Sequence, residues 1–186
     1  GILYFSVNHD LCPNVSLSKI VEQVENSIIW IYNNCEKYGG NPDKISISGH
    51  SAGAHLCAMM LSIDWSKFNV PTKIIKGVVL ISGIYEPEIV LNLSVNEEIK
   101  LSKQEALRNT PTHPINNIQN ILICVGGEEP KGWIEQTKLY AKKIVNKGNN
   151  LDFSILEKEN HFSLMISFSN SNNTYVKKII HMAKNI

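Results

Sequence analysis

The chain has 186 residues, a net charge of +1 at neutral pH and 43% hydrophobic residues. These values are typical of one globular domain with a sizeable core, and they do not favour nucleic acid or an anionic membrane as a partner. No apolar run approaches the roughly 18 residues of a membrane span. The histidines and cysteines form no close-spaced metal-binding pattern. Four widely separated cysteines favour free thiols in a reducing compartment, which predicts a cytoplasmic location.

The first part of the chain predicts strands alternating with helices. The apolar run Ile2–Val7 predicts a buried strand, and a long helix then begins after the N-cap Ser16 and ends before Gly39-Gly40. Lys44–Ser48 predicts the next strand and Ala52–Ser62 the next helix. The long helix has one apolar face with residues recurring every three or four positions. This face contains Leu17, Ile20, Val21, Val24, Ile28, Ile31 and Cys35.

The second part of the chain continues the alternation after an irregular stretch. Strands are predicted at Gly77–Ile81, Ile121–Val125 and Leu151–Leu156, and helices at Trp133–Lys147 and Tyr175–Lys184. Between Tyr85 and Asn117 the pattern is irregular, apart from a helical patch at Gln104–Arg108. Strands joined by helical crossovers predict an α/β fold, a mainly parallel sheet with helices on both faces in three layers.

A short motif lies between the predicted strand at Lys44–Ser48 and the helix that follows it. Gly49-His50-Ser51-Ala52-Gly53 matches G-x-S-x-G and resembles the nucleophile elbow of α/β-hydrolases. Ser51 is the predicted nucleophile, and the N–H of Ala52 is predicted to contribute to the oxyanion hole. The absence of a Cβ at Gly49 and Gly53 is expected to let strand and helix approach closely.

A serine nucleophile needs a base, and the base needs a carboxylate that orients it. In this fold the order is Ser, acid, His. His161 follows the predicted strand Leu151–Leu156 and is the expected base, while Glu128 and Glu129 follow Ile121–Val125 as alternative acids. The other histidines are predicted to be structural: His50 as a packing residue, His55 as half-buried structure, and His9, His113 and His181 as structural or exposed residues.

Beyond the elbow, an ordered set of segments resembles the arylformamidase (kynurenine formamidase) family from about Ile2 to the C-terminus. The set comprises Val7-Asn8-His9-Asp10-Leu11-Cys12-Pro13, Gly49-His50-Ser51-Ala52-Gly53-Ala54-His55-Leu56, Ser82-Gly83-Ile84-Tyr85, Glu105-Ala106-Leu107-Arg108-Asn109-Thr110-Pro111, Trp133-Ile134-Glu135-Gln136-Thr137 and Asn160-His161-Phe162. Counting back from Gln136, the resemblance places the acid at Glu129, where the family has Asp. Asn160 likewise stands where the family has Asp.

The resemblance implies hydrolysis of an N-formyl arylamide, with N-formyl-L-kynurenine giving L-kynurenine and formate in tryptophan catabolism. It implies a substrate pocket that includes Ile84, Tyr85 and Phe162, and it implies no metal and no organic cofactor. The expected partner is the small aryl formamide substrate, and a homodimer is allowed. A general carboxylesterase and a non-catalytic binding fragment are the alternative functions.

The His-Gly-Gly segment that supplies further oxyanion-hole donors in the family does not occur in this chain. The resemblance therefore implies that residues 1–186 are the C-terminal portion of one α/β-hydrolase domain, from about its fourth strand onward. In that fold the third strand lies between the fourth and fifth. Without it, Ile2–Val7 is expected to have no ladder partner facing Lys44–Ser48, which favours an incomplete record of a longer protein.

Overall fold

The computed structural model describes residues 1–112, 114, 118–145 and 149–186, and strands alternate with helices along it. The strands are β1 (Ile45–His50), β2 (Ile75–Ile81), β3 (Asn120–Gly126) and β4 (Asn150–Leu156). The helices are α1 (Leu17–Asn34), α2 (Ala52–Leu61), α3 (Asn96–Ile99), α4 (Lys103–Arg108), α5 (Lys131–Ile144), α6 (Ser163–Ser167) and α7 (Thr174–Asn185). None of the described helices combines the length and apolar character needed to cross a membrane.

The four strands form one parallel sheet in the order β1-β2-β3-β4. Near their carboxyl ends, Gly49 pairs with Leu80, Ile81 with Cys124, and Gly126 with Leu156. Because parallel strands end at the same edge of a sheet, the loops after all four strands meet there. The elbow at Ser51, the loop after β3 that carries Glu128 and Glu129 (the acidic loop) and the loop after β4 that carries His161 (the histidine loop) are therefore brought to one place.

Helices cover both faces of the sheet, as predicted. One face packs against α1, α2 and α5 in a core that includes Ile28, Ala58, Val78, Leu80, Ile121, Ile123 and Ile144. The opposite face packs against α6 and α7 through Val79, Ile81, Leu122, Cys124, Leu164, Tyr175 and Met182. Successive residues of β2 and β3 alternate between the two clusters, because side chains along a strand point to opposite faces.

The predicted strand at Ile2–Val7 is wrong. The first eleven residues have no regular secondary structure, and Tyr4 is 77% exposed. A strand depends on ladder hydrogen bonds, and no described strand pairs with this segment. Phe5 instead packs edge-on against the rings of Trp30 and Tyr38, so the segment lies along α1.

The remaining predicted elements are confirmed to within a few residues. Ser16 caps α1 by accepting from the N–H of Lys19. A 3-10 helix at Cys35–Tyr38 follows α1, and Gly39 ends it in the left-handed conformation. The short helices α3 and α6 were not predicted, because a helix of four or five residues has no measurable periodicity. The predicted end of the helix at Lys147, like His113 and residues 115–117, lies outside the described residues.

Candidate active site

Ser51 lies at the sharp turn between β1 and α2, at the carboxyl edge of the sheet. Its backbone has φ 56° and ψ −120°, a conformation that favours glycine. The turn is held on both sides: the Ser51 N–H donates to the carbonyl of Ile81 (2.9 Å), and the Ser51 carbonyl accepts from Ala54 (3.0 Å) and His55 (3.1 Å). The backbone is thus strained at the one residue predicted to react.

The two glycines of the motif have different roles. A Cβ at Gly49 would lie 2.2 Å from the carbonyl carbon and oxygen of Gly53, so strand and helix backbones meet there. A Cβ at Gly53 would meet nothing within 4 Å. The expectation that both glycines are needed for close approach is therefore wrong for Gly53, because its missing side chain would project away from the strand.

We expect Gly49→Ala to destabilise the protein by about 3 kcal/mol or more, because neither contacting backbone group can move without breaking the elbow. Gly53→Ala is the matched control and is expected to change the free energy of unfolding by less than about 1 kcal/mol. Urea denaturation of both variants measures the difference. Equal stability of the two would contradict the packing derived for this turn.

Ala52 is the first residue of α2 and is exposed at the same edge. Since an N–H in the first turn of a helix has no acceptor within that helix, the Ala52 amide can donate to an oxyanion. The ten residues of α2 also direct the positive end of the helix dipole towards this position. The geometry fits the role predicted for Ala52.

The structure brings Glu129, and not Glu128, to His161. Oε2 of Glu129 lies 2.8 Å from Nδ1 of His161, and the Glu129 side chain is only 1% exposed. Its other oxygen, Oε1, accepts from the Gly126 N–H (2.9 Å) and from the hydroxyl of Ser82. Three contacts on its two oxygens fix the orientation of this buried carboxylate. The Glu128 side chain points to solvent.

The acidic loop and the histidine loop are joined through their backbones. Glu128 N–H donates to the carbonyl of Glu159 (2.9 Å), and Gly127 N–H donates to that of Leu156 (2.9 Å). At Gly126 a Cβ would lie 2.4 Å from the Glu159 oxygen, so only glycine allows this approach. The two loops therefore form one rigid unit that fixes Glu129 relative to His161.

Asn160 organises the turn that carries His161. Its Oδ1 accepts from the N–H groups of Phe162 (3.0 Å) and Ser163 (2.9 Å), and its own N–H donates to Ser163 Oγ (2.9 Å). Asn and Asp both offer such an oxygen to the start of a helix. Asn160, at the position where the family resemblance implies Asp, therefore supports the turn as an Asp would.

Ser82 is a site residue that sequence reasoning did not single out for this contact. It directly follows β2, is fully buried, and has a left-handed φ of 46°. Its N–H donates to the Cys124 carbonyl (2.8 Å), which leaves its hydroxyl directed at Glu129. The sequence did offer one signal for this contact: Ser82 is a polar residue at the end of β2, the strand that neighbours the one leading to the acid.

Replacing Ser82 is expected to lower kcat by about tenfold or more, since a hydrogen bond to a charged group is worth about 1.5–3 kcal/mol. Ser82→Ala and Ser82→Gly both remove the hydroxyl, but only glycine also relieves the left-handed backbone. Thermal unfolding and turnover of a para-nitrophenyl ester should show Ser82→Gly folded yet impaired. Ser154→Ala, whose hydroxyl contacts Asp152 (3.1 Å) on β4, is the control. An unchanged kcat in Ser82→Gly would contradict a functional role for the Ser82 hydroxyl.

The His161 ring is surrounded by other rings. Phe162 (5.5 Å between centroids) and Trp133 (6.2 Å) lie edge-to-face with it, and His50 is tilted over it at 4.4 Å. Trp133 Nε1 also donates to the Ser82 carbonyl (3.4 Å). Within the described residues Ser51 makes no hydrogen bond to His161, and such bonds are often long before substrate binds.

Two of the three predicted pocket residues lie elsewhere than expected. Tyr85 is 2% exposed, and its ring stacks on Tyr140 (4.2 Å) in the core. The tip of the Tyr85 ring lies against Gly83, where a Cβ would be 2.6 Å from it. Ile84 is half-buried and packs in a small cluster with Val90, Leu101 and Ala106. Phe162 is 76% exposed and is the predicted pocket residue that lies beside His161.

His9, His55 and His181 contact groups other than Ser51, Glu129 and His161. His55 was predicted to be half-buried, but it is 3% exposed and its Nε2 lies 2.8 Å from the Asn109 carbonyl. Burial lowers the pKa of His55, so it remains neutral. His9 Nδ1 contacts the Asp10 carbonyl (2.6 Å), and His181 is exposed on α7.

The parallel sheet, its helical layers and the strand–turn–helix at Ser51 define the α/β-hydrolase fold. Solved structures agree with this assignment. The carboxylesterase EstE1, from a metagenomic library, has a TM-score of 0.70 at 17% identity over 95% of this chain and 65% of that chain. An esterase from Pyrobaculum calidifontis has a TM-score of 0.67 at 20% identity over 86% of this chain and 57% of that chain.

Within that fold the chain is related in sequence to kynurenine formamidases. It is 29% identical to the kynurenine formamidase of Danio rerio over 98% of this chain, and 30% identical to that of Salmo salar over 89% of this chain. The chain spans 62% and 57% of the lengths of these two relatives. The BD-FAE family model matches residues 1–76.

Proposed function

We propose that this chain carries the catalytic triad of a serine hydrolase that cleaves N-formyl arylamides, with Ser51 as nucleophile, His161 as base and Glu129 as acid. The proposal rests above all on the 2.8 Å contact between Glu129 Oε2 and His161 Nδ1. That contact leaves Nε2 as the basic nitrogen. The strained Ser51 turn lies at the same edge of the sheet. Along the chain the three residues follow the order Ser, acid, His that is typical of this fold.

In the proposed reaction His161 Nε2 removes the Ser51 proton as Oγ attacks the formyl carbon. Negative charge moves to the formyl oxygen, where the Ala52 N–H can donate to it. The C–N bond then breaks, and the arylamine leaves with the proton held by His161. Water, deprotonated by His161, attacks the formyl-serine and releases formate. Glu129 stabilises the imidazolium in both steps.

The proposed substrate is N-formyl-L-kynurenine, which gives L-kynurenine and formate, a step of tryptophan catabolism. The relation to two fish kynurenine formamidases over most of this chain supports this choice. A formyl carbon bears only hydrogen, so it needs little space beside Ser51. The exposed Phe162 ring beside His161 offers an apolar contact for the aryl side of the substrate.

A general carboxylesterase is the second candidate, because the matching solved structures include esterases. The two candidates differ in the ratio of kcat/KM for an aryl formamide and a short-chain aryl ester. We expect the intact protein to prefer N-formyl-L-kynurenine over phenyl acetate. A reversed preference, with Ser51 still labelled by a fluorophosphonate, would favour the esterase. Absence of labelling at Ser51 would contradict both enzymes and favour a binding protein.

A further inference from the structure

His50 connects the nucleophile strand to the base. It is the last residue of β1, directly before Ser51, and its Nε2 lies 3.0 Å from the backbone carbonyl of His161. The His50 and His161 rings are 4.4 Å apart and inclined by 39°. One side chain therefore contacts both the backbone and the imidazole of the predicted base.

The carbonyl that His50 contacts determines which of its ring nitrogens carries the proton. A carbonyl oxygen accepts only, so Nε2 of His50 must carry the proton and donate it. Burial and the adjacent His161 lower the pKa of His50, which keeps the ring neutral near pH 7. A neutral ring can lie against the imidazolium that forms on His161, whereas a charged one would repel it.

Ser51 and His161 lie on different loops, so the position of the base relative to the nucleophile depends on contacts between the two segments. Glu129 fixes Nδ1 of His161, and Phe162 and Trp133 pack edge-to-face with its ring, but none of these residues belongs to β1 or to the turn at Ser51. Ser51 makes no hydrogen bond to His161 within the described residues, so the register between elbow and base depends on other contacts. Among those described, His50 joins the elbow strand to the His161 residue itself.

We propose that His50 is a positioning residue that holds His161 in register with Ser51, through its hydrogen bond to the His161 backbone and its ring contact with the imidazole. This inference rests on the proposed triad. Misplacement of a reacting group by about 1 Å can cost about 100-fold in rate. Loss of His50 should therefore lower kcat far more than it changes KM.

Three variants of the intact protein separate the two contacts. His50→Ala removes both, His50→Gln keeps a donor near the Nε2 position, and His50→Phe keeps the ring. We expect kcat for para-nitrophenyl acetate to fall about 100-fold in His50→Ala, with KM within about threefold of wild type. His50→Gln and His50→Phe should each recover part of the loss. His181→Gln, an exposed histidine on α7, is the matched control.

Fluorophosphonate labelling of Ser51 distinguishes the possible failures. If the wild type is not labelled, the proposed function fails and this inference fails with it. If the wild type is labelled and His50→Ala keeps wild-type kcat, the inference alone is wrong. It is also wrong if all three variants lose kcat only in proportion to a fall in Tm, because His50 would then act only on stability.

Discussion

Replacing Ser51 with alanine is expected to abolish hydrolysis, lowering kcat by about 10⁴-fold or more, while the protein remains folded. The hydroxyl is the proposed attacking group, and neither His161 nor Glu129 is proposed to replace it. Alanine tolerates the same backbone as serine, so Ile81 and Ala54 can keep their hydrogen bonds to residue 51. Steady-state kinetics with an aryl formamide and fluorophosphonate labelling both measure the loss. More than a trace of wild-type kcat would show that another residue attacks.

Ser51→Gly is the companion variant, because it removes the hydroxyl and also the strain. A residue held in a sparsely populated backbone conformation costs about 1–3 kcal/mol. We expect Ser51→Gly to be as inactive as Ser51→Ala but more resistant to urea by about 1 kcal/mol or more. If the two variants are equally stable, the strain inferred from φ 56° is not present in solution.

Glu129→Gln is expected to lower kcat by about 10⁴-fold, because a neutral amide cannot stabilise the imidazolium on His161. The amide is nearly the same size as the carboxylate, so the contacts with Gly126 and Ser82 can be largely retained and the fold should persist. Glu128→Gln, which alters the neighbouring exposed carboxylate, is the control and should be close to wild type. Similar losses in both variants would contradict the choice of acid.

The length of the acid gives a further check on the same site. Asp is the residue expected from the kynurenine formamidase resemblance, but here Glu129 spans the distance from its loop to His161 Nδ1. Shortening it in Glu129→Asp withdraws the carboxylate by more than about 1 Å, which is expected to cost about 100-fold in kcat. Wild-type activity in Glu129→Asp would mean that the loop moves to compensate.

The alternation of strands and helices could be predicted from the sequence because each element carries its own local pattern. We can identify the apolar face of α1, the Ser16 cap and the β-branched run of β2 without knowing any tertiary contact. Ile2–Val7 has an equally apolar composition, yet it is not a strand. Strand formation depends on a neighbour that supplies ladder hydrogen bonds, and no described strand does so.

For the candidate site, local signals were enough to locate the elbow at Ser51 and the base candidate His161, since G-x-S-x-G lies between strand and helix and the histidine follows a late strand. Local signals left Glu128 and Glu129 as alternatives and the family resemblance pointed to Glu129, but the contact with His161 is seen only in the folded chain, because adjacent residues differ in which side of a loop they face. The hydroxyl of Ser82 on Glu129 and the ring of His50 on His161 were likewise decided only there. These contacts join residues 47 and 111 positions apart, and such proximity arises from the parallel order of the strands, which no local pattern encodes.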